Sequence, residues 1–498
     1  MDATSGIEQR AGGIVESGSF DATEFADELE RAPHNHELGT SLWFENERVR
    51  VFEVRLDPGE RGPFHIHDQT YFWTVIEPGR GLQHLADGSS PHVHSPAASS
   101  KRAGRKALVV GGSLAGLSAA NWLRVSGWDV EILERARQPL EDHGAGIVLH
   151  PSTSRFLTDH EGMALDDFSV GVDHLRYIDH RGEIVSQAPS RLRFSAYGAL
   201  YRALRTSLVA HGGTYRHGVT VTGVSWSSAG AEITDSAGNT ETCDLVVGAD
   251  GVRSTVRRVL DPESEPRPAG YVAWRGVVPE ETLPVAKRAP LARAITYSIL
   301  DRSHVLTYPI RRASDRRILQ NWVWYRNVSG ASQLADLLVD RAGARHDLSV
   351  PAGAVHPDAL AELADEARRQ LPPPIATLVE ATPDPFLQVV IDVHPRCMAR
   401  GRVCLVGDAG FVARPHAAAG TAKAAEEGRL LAAALADAAT DIGSALATWT
   451  RKVTALGRAL AARSRRAGER AQVDGTWAVG EPLPFGLREA GDSECYEP

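Results

Sequence analysis

From residue 107 the chain begins with an apolar run, Ala107-Leu-Val-Val110, then a glycine turn, an amphipathic stretch from Leu117 to Ser126, and a second apolar run, Val130-Glu-Ile-Leu-Glu134. Strand, turn, helix and strand in that order predict the opening of a doubly wound parallel sheet. Between 267 and 327 the period changes. The segments YVAWRGVV, ITYSIL, HVLTYPI and ILQNWVWYR are β-branched and aromatic and are separated by polar turns, which predicts a second, antiparallel layer. From about Ile442 the run ALATWTRKVTALGRALAARSRRAGERA has helical spacing and ends in an extension containing Pro and Gly. Ahead of all this, residues 41–85 alternate Val, Phe, Tyr and Trp with polar residues between Pro-Gly and Gly breaks, the pattern of a small antiparallel β unit. SPAASSKRAGRK joins the two parts without a periodic apolar face and reads as a linker.

The expected architecture is therefore α/β: a Rossmann-like domain with an interleaved antiparallel β-sheet layer, plus a small N-terminal β module. The expected boundaries are 1–94 for the front module, 95–106 for the linker, 107–445 for the main domain with its β layer at 267–327, and 446–498 for a C-terminal helix and tail.

Composition narrows the function. The 498 residues are 43% hydrophobic and 23% charged with a formal charge of −9, an ordinary globular balance without the basic surface that nucleic acid requires. No nucleic-acid partner is expected. The four cysteines, Cys243, Cys397, Cys404 and Cys495, form no CxxC pair or dense framework, as in chains that keep their thiols reduced. The N-terminus has no basic and apolar leader, and no window approaches the roughly 18 apolar residues of a membrane span. A soluble, cytoplasmic protein with no membrane partner is expected.

Three motifs carry chemistry. In Gly111-Gly112-Ser113-Leu114-Ala-Gly116 the first glycine permits the tight turn and the last permits close helix packing, while free N–H groups at the helix start suit a pyrophosphate. Ser113 replaces the usual middle glycine. Glu134, at the end of the second strand, is placed to accept ribose hydroxyls. The second motif, Cys243 to Arg257, runs from an apolar strand to Asp250-Gly251 and a basic helix start; by itself it also reads as a turn and a helix cap. The third, Gly401 to Glu426, delivers Asp408 at a strand end and then passes through Arg414-Pro415-His416 into a small-residue helix start.

These three motifs in this order resemble the para-hydroxybenzoate hydroxylase class of FAD-dependent monooxygenases. The variant GGSLAG, YVAWRG at Tyr271–Gly276, NWVWYRN at Asn321–Asn327 and RPHAAAGTAKAAE at Arg414–Glu426 are similar, more narrowly, to the 2,6-dihydroxypyridine 3-hydroxylase group. The resemblance covers roughly residues 105–445. It implies that FAD is the cofactor, NAD(P)H the reducing co-substrate and O2 the oxidant, and that a small hydroxylated aromatic or N-heterocyclic ring gains a hydroxyl group. It also implies that Gly111, Gly112, Ser113, Leu114 and Gly116 wrap the FAD pyrophosphate, with Glu134 on the ribose and Arg135 beside the adenine. Gly146, Ile147 and Val148 in the run from His143 would lie along the flavin. Asp250 and Gly251 would serve the pyrophosphate and ribose, Asp408 the ribityl chain, and Pro415, Gly420 and Thr421 the flavin ring. Gly410 stands where relatives often carry a bulkier residue.

Hydroxylation of such a ring is helped by deprotonation, so a base or hydrogen-bond relay is expected near the substrate. The candidates are His416, His304, Tyr271 and Arg275, with Tyr308 beside them. Against each stands the plain alternative of a satisfied or packed side chain. Trp274, Trp322 and Trp324 are equally a flat wall for the substrate or simple core. No second dinucleotide fingerprint appears, so the nicotinamide cofactor is expected to visit transiently.

In the front module, Phe64-His65-Ile-His67 resembles the first cupin motif, where alternation puts two imidazoles on one face of a strand. Tyr71 occupies the position of the expected glutamate, and no second motif precedes the linker. His84, His92 and His94 are the other histidines on offer, yet the expectation is a half-cupin-like module without a bound metal, packing on the main domain or mediating a homodimer contact. Two rival functions stay open: another flavin dehydrogenase or oxidase, and a non-catalytic flavin- or ligand-binding sensor. A flavin halogenase is disfavoured, because Trp322-Val-Trp-Tyr lacks the Ile-Pro that closes that family's motif.

Overall fold

The computed structural model describes residues 105–141, 146–312, 315–436 and 441–494, together with the backbone of five short strands that precede them. Contacts divide the chain into two units, Met1–Ala103 and Gly104–Pro498. In the first, Ser89–Ser95 pairs antiparallel with both Ile14–Ser19 and Gly79–Leu82, and Ser41–Glu45 pairs with Arg50–Glu53. His65, His67, Tyr71 and His84 lie outside the described residues, as do His143, Gly144 and Ala145.

The elements that build the site belong to the second unit. They are β1 (Lys106–Val110), α1 (Leu114–Val125), β2 (Asp129–Glu134), β3 (Gly146–Leu149), β4 (Arg193–Ala196), α2 (Tyr197–Ala210), β5 (Thr214–His217), β6 (Leu245–Gly248) and α3 (Thr255–Leu260). After them come β7 (Arg267–Pro279), β8 (Ala294–Leu300), β9 (Ser303–Arg311), β10 (Ile318–Asn327), β11 (Phe386–Asp392), β12 (Val403–Leu405), α4 (Gly420–Ala434) and α5 (Ile442–Glu469). Among the described residues, no helix is long and apolar enough to cross a membrane.

One sheet runs β5-β2-β1-β6-β12, all parallel, and Ala399–Arg400 closes it antiparallel to β12. Ala107 to Val110 and Leu245 to Gly248 are buried along their whole length, as in strands covered on both faces. β1 has β2 on one side and β6 on the other, so the chain reverses direction across the sheet there. Crevices at such switch points, at the carboxyl ends of parallel strands, are where α/β folds bind ligands.

The second sheet has eight strands, with β8-β9-β10-β7-β11 at its centre. All neighbours are antiparallel except His174–Ile178 beside β8. The four strands expected between 267 and 327 are present, and the layer extends beyond them: Ile184–Pro189 and His174–Ile178 flank one side, β11 and Ser349–Val350 the other.

Side chains opposite one another across this sheet share a face. Ala273, Tyr325 and His304 form one row, and Trp274, Trp324 and Val305 form the next, on the opposite face. The tryptophan face packs on the helices Pro357–Gln370 and Pro373–Glu380 in one apolar core.

Candidate active site

Because β1, β2, β6 and β12 are parallel neighbours, the residues that follow them converge at one edge. Gly111 follows β1 with φ +103°, and a Cβ there would lie 2.4 Å from the Ala249 carbonyl oxygen. A Cβ on Gly116 would lie 1.9 Å from the Gly111 oxygen. Only glycine fits either position. The buried carboxylate of Glu134 accepts the Gly112 N–H at 2.8 Å and the Ala136 N–H at 2.8 Å, bracing the loop against the end of β2. Ser113 is the residue before α1; its hydroxyl lies 2.8 Å from that of Tyr197, whose pKa burial pushes up to about 12. Leu114 is buried at the helix start and Arg135 is exposed. The first N–H groups of α1 have no partners within the helix, and with Glu134 they suit a dinucleotide.

Asp250 turns its carboxylate to the helix that follows it. Its carboxylate accepts the Ser254 hydroxyl at 2.5 Å and the Thr255 and Val256 N–H groups at 2.6 and 3.2 Å. It therefore caps α3, with Gly251 at φ +74° making the turn. Burial raises its pKa against those hydrogen bonds. From α3, the buried Arg257 donates to the carbonyls of Ala409 at 3.0 Å, Ser264 at 3.2 Å, Asp408 at 3.4 Å and also Val252. One guanidinium thus ties the Asp-Gly loop to the Gly-Asp loop.

Asp408 differs from its surroundings. Gly407, Ala409 and Gly410 are buried, yet the Asp408 side chain is open to solvent and accepts no hydrogen bond from another described residue. Hemmed in by protein, its carboxyl is pushed up by desolvation, against the pull of Lys423 and Arg257. Such a carboxylate suits a ligand's hydroxyl groups.

A fully buried ion pair holds this loop. Lys423 donates to the Gly407 carbonyl at 2.8 Å and to Glu427 at 3.0 and 3.1 Å, and Glu427 accepts the Gly407 N–H at 2.7 Å. Both polar groups of Gly407 are gripped by one turn of α4. The space beside Gly410 is filled by Met398, whose Cε would lie 2.6 Å from a Cβ there.

Strand β3 is held from the second sheet. The Gly146 N–H donates to Asn321 Oδ1 at 2.9 Å, and its carbonyl accepts Tyr308 Oη at 2.9 Å and Arg275 Nη2 at 3.0 Å. Ile147 and Val148 continue the strand beside Ser195 and Phe194. Arg275 also donates to Gln388 at 3.1 Å. Its Nε and the Nδ2 of Asn321 are buried without a hydrogen-bond partner. Across the crevice, Pro415 and Gly420 are exposed and Thr421 is half-buried at the start of α4, while Ala418 turns the loop at φ +52°.

His416, His304 and Tyr271 come together, with Arg275 set apart beside Gly146. His416 Nε2 lies 2.7 Å from the Tyr271 hydroxyl, and His304 Nδ1 lies 2.9 Å from Gln472 Nε2. Tyr325 packs against both imidazoles, 4.7 and 5.0 Å from their centroids, which are themselves 5.4 Å apart. Burial, reinforced by Arg414, lowers the His416 pKa to about 3, and burial with His416 nearby holds His304 well below its ordinary value. Burial raises Tyr271. Arg414 is fixed by Asp392 at 2.8 and 3.1 Å and lies over the Tyr271 ring.

Elements from the C-terminus cover this cluster. A Cβ on Gly468 of α5 would lie 2.6 Å from the Tyr271 oxygen, so the helix meets the pair without a side chain. Trp477 packs edge-on against His304, and the Gly486 N–H reaches the Ala417 carbonyl at 3.0 Å. The three tryptophans lie elsewhere. Trp274, Trp322 and Trp324 are on the opposite face, with indole N–H groups donating to Thr382 from Trp322 and to Ser303 from Trp324. They are core, and the flat-wall expectation is withdrawn.

Asn321 lies inside the NWVWYRN run, where alternation predicts a strand but carries no sign of the hydrogen bond to Gly146. Gln472, Arg257 and the Lys423–Glu427 pair gave no local signal, because their partners are distant in sequence or are backbone carbonyls.

Comparison with known proteins identifies the family. A family model described as FAD binding domain-like matches residues 268–392. The chain is 35% identical over 384 residues to 2,6-dihydroxypyridine 3-monooxygenase of Paenarthrobacter nicotinovorans, covering 76% of this chain and 95% of that protein. The solved structure of 2,6-dihydroxypyridine-3-hydroxylase from Arthrobacter nicotinovorans superposes with a TM-score of 0.73 at 34% identity, over 78% of this chain and 98% of the other. A 6-hydroxynicotinate 3-monooxygenase of Pseudomonas fluorescens is 27% identical, over 66% of this chain and 81% of its own length.

Proposed function

This chain belongs to the family of FAD-dependent aromatic-ring monooxygenases, and on that premise we propose that its substrate is a small hydroxylated N-heterocycle of the dihydroxypyridine type, bound as an anion. It is an oxidoreductase that takes FAD as cofactor and NAD(P)H as reductant. One observation carries the substrate reading. Arg275 Nε and Asn321 Nδ2 are buried donors without acceptors, beside the strand that begins at Gly146. Both atoms are closed to solvent, so ring oxygens carrying negative charge would meet them once the part-exposed Arg275 side chain turns toward the substrate. The phenols nearby do not compete as anions, since burial raises Tyr308 and Tyr325.

The FAD fit rests on the Gly111–Gly116 turn, the Glu134 brace and the open carboxylate of Asp408. Gly111 to Gly116 would hold the pyrophosphate, Glu134 the ribose and Asp408 the ribityl hydroxyls, with β3 and the 415–421 loop beside the ring. Arg135 would lie by the adenine. Asp250 and Gly251 would act indirectly, by placing α3 and through it Arg257. When bound and reduced by NAD(P)H, the flavin supplies activated dioxygen, from which one atom passes to the ring.

The protein's own residues hold the substrate, stabilise its anion and keep water out. A base works best with a pKa near the working pH, and His416 at about 3 is far from it. His416 therefore serves as a neutral hydrogen-bonding group. Arg414 faces the Tyr271 oxygen, leaving the phenolic hydrogen for His416 Nε2. His304, held by Gln472, fixes the far side, and Trp477 closes the wall. The substrate is expected to arrive already ionised, with Arg275 stabilising the anion, which is the better nucleophile. Cys243, Cys397 and Cys404 are free thiols, which suits the reducing cytoplasm.

The test is to purify the chain, record the flavin spectrum, and follow NADH and NADPH oxidation with a panel of dihydroxypyridines, hydroxynicotinates and simple phenols. A dihydroxypyridine should accelerate oxidation most, and its product should gain one oxygen atom by mass. Failure of every ring on the panel to do either would sink the proposal.

A further inference from the structure

Away from the flavin crevice, two helix ends bring nitrogen and oxygen ligands together. Phe156–His160 is a single π-helical turn, and Glu161 caps it. Such turns often mark functional sites. His211 is the residue that ends α2, followed by a turn at Gly212 with φ +76°. The two ends meet: His211 Nε2 lies 2.8 Å from Glu161 Oε1, and His160 Nε2 lies 3.9 Å from the same oxygen. One ligand atom from each of the three residues lies within 4.8 Å of the others.

Zinc takes His nitrogen and carboxylate oxygen at about 2.0–2.2 Å, which puts neighbouring ligand atoms of one ion roughly 3.0–3.5 Å apart. The observed separations bracket that range, so small side-chain rotations would suffice. The backbones are already set. The Glu161, Gly162 and Met163 N–H groups close the π turn onto Phe156, Thr158 and Leu157, while Arg124 Nε holds the His211 carbonyl at 2.6 Å. The His160 ring packs against Phe156 and Trp122, with centroids at 5.0 and 6.3 Å. Side-chain exposures of 38% and 39% for the histidines, against 22% for Glu161, leave an open side for entry and for water ligands.

We propose that His160, Glu161 and His211 bind one divalent transition-metal ion, Zn2+ in the first place, with water completing the shell. Two imidazoles and a carboxylate suit zinc and not the all-oxygen shells of Ca2+ or Mg2+. The ion would tie the π turn to α2, whose first residue, Tyr197, hydrogen-bonds Ser113 in the nucleotide loop. It would thus brace α2 and its contact with Ser113 without taking part in ring hydroxylation.

The test uses tag-free, chelator-treated full-length protein titrated with Zn2+ by calorimetry and by thermal melting. Uptake of one ion per chain is expected, with a melting temperature that rises as free Zn2+ exceeds Kd. His211→Gln and Glu161→Gln should weaken uptake by more than the roughly 10–100-fold that loss of an outer-shell partner costs. A His65→Gln/His67→Gln variant separates this site from the histidine pair in the front module and should leave that uptake intact. Zinc-edge anomalous scattering should place the ion among the three side chains. Equal Zn2+ binding by wild type and His211→Gln, loss only in the His65/His67 variant, or no binding at all would each overturn the proposal. Retained flavin colour in every variant confirms that the fold survived.

Discussion

The two faces of the eight-stranded sheet are made from alternate residues of the same strands, yet they bury different chemistry. On the first, Trp274, Trp322 and Trp324 are fully buried, and the indole N–H groups of Trp322 and Trp324 find hydroxyl acceptors. On the second, Tyr271, His304, Tyr308, Asn321 and Tyr325 are also withdrawn from water and Arg275 is half-buried, Arg275 Nε and Asn321 Nδ2 lack partners, and both His304 and His416 are held neutral. Burial is common to both faces. Each keeps some unspent hydrogen-bonding capacity, Gln320 Nε2 on the first and Arg275 Nε and Asn321 Nδ2 on the second; what separates them is the set of buried tyrosines and a histidine gathered on the second.

Substitutions should break the two faces differently. Trp322→Ala is expected to cost about 3–5 kcal/mol, the usual loss for a large aromatic in a core. Chemical denaturation would show it, while kcat per folded, flavin-loaded molecule stays within about twofold. A large kcat loss without a stability loss would return the tryptophans to the substrate site.

The next effect is one of pH. Histidine in the unfolded chain takes a proton near 6.5, whereas His416 in the folded protein resists until about 3. The unfolded state therefore binds more protons in that window, and stability, complete above 6.5, falls as the pH drops towards 3. At about 1.4 kcal/mol for each tenfold change in proton affinity, the loss from this residue approaches ~3 kcal/mol by pH 4. His416→Gln should flatten the decline, as read from urea midpoints between pH 4 and 7. An unchanged slope would mean that the imidazole is not held neutral by burial.

Arg275→Met should lower kcat/KM by about 10²-fold, or ~2.7 kcal/mol, with little loss of melting temperature because the unpaired Nε goes with it. Initial rates across substrate concentration would divide the effect between KM and kcat; a collapse in stability with unchanged kinetics would make Arg275 merely a strut for Gly146. The smallest effect is expected from Tyr271→Phe. It leaves His416 Nε2 unpartnered, at about 1–2 kcal/mol, and should change the pH profile of kcat more than KM. Identical profiles would make the Tyr271–His416 hydrogen bond a packing contact only.

Much of this protein is legible along the chain. Gly111, Gly116 and Glu134 act through backbone geometry within one strand–turn–helix–strand unit, so their roles are local and their spacing is diagnostic. Alternation from Tyr271 to Gly276 and from Asn321 to Asn327 is likewise enough to predict strands. It is not enough to choose a face, since both sides of those strands are covered and a buried tryptophan looks the same in sequence whether it meets a helix or a substrate. Asp250 carries the opposite ambiguity: the cap and the ligand-binding reading share one residue, and only the hydrogen bonds to Ser254, Thr255 and Val256 show where its oxygens are spent.

The sequence by itself determined the class of fold, the dinucleotide turn and the membership of a flavin hydroxylase family, because these depend on local backbone demands and on motifs in a set order. The tertiary structure alone decided that Lys423 and Glu427, an i,i+4 pair that would otherwise read as solvent-facing, are buried against Gly407. It also decided that Gln472 reaches His304 across 168 positions, and that the tryptophans turn away from the histidines. Those outcomes depend on which surfaces meet when helices and sheets pack, and periodicity within one element does not encode its neighbour.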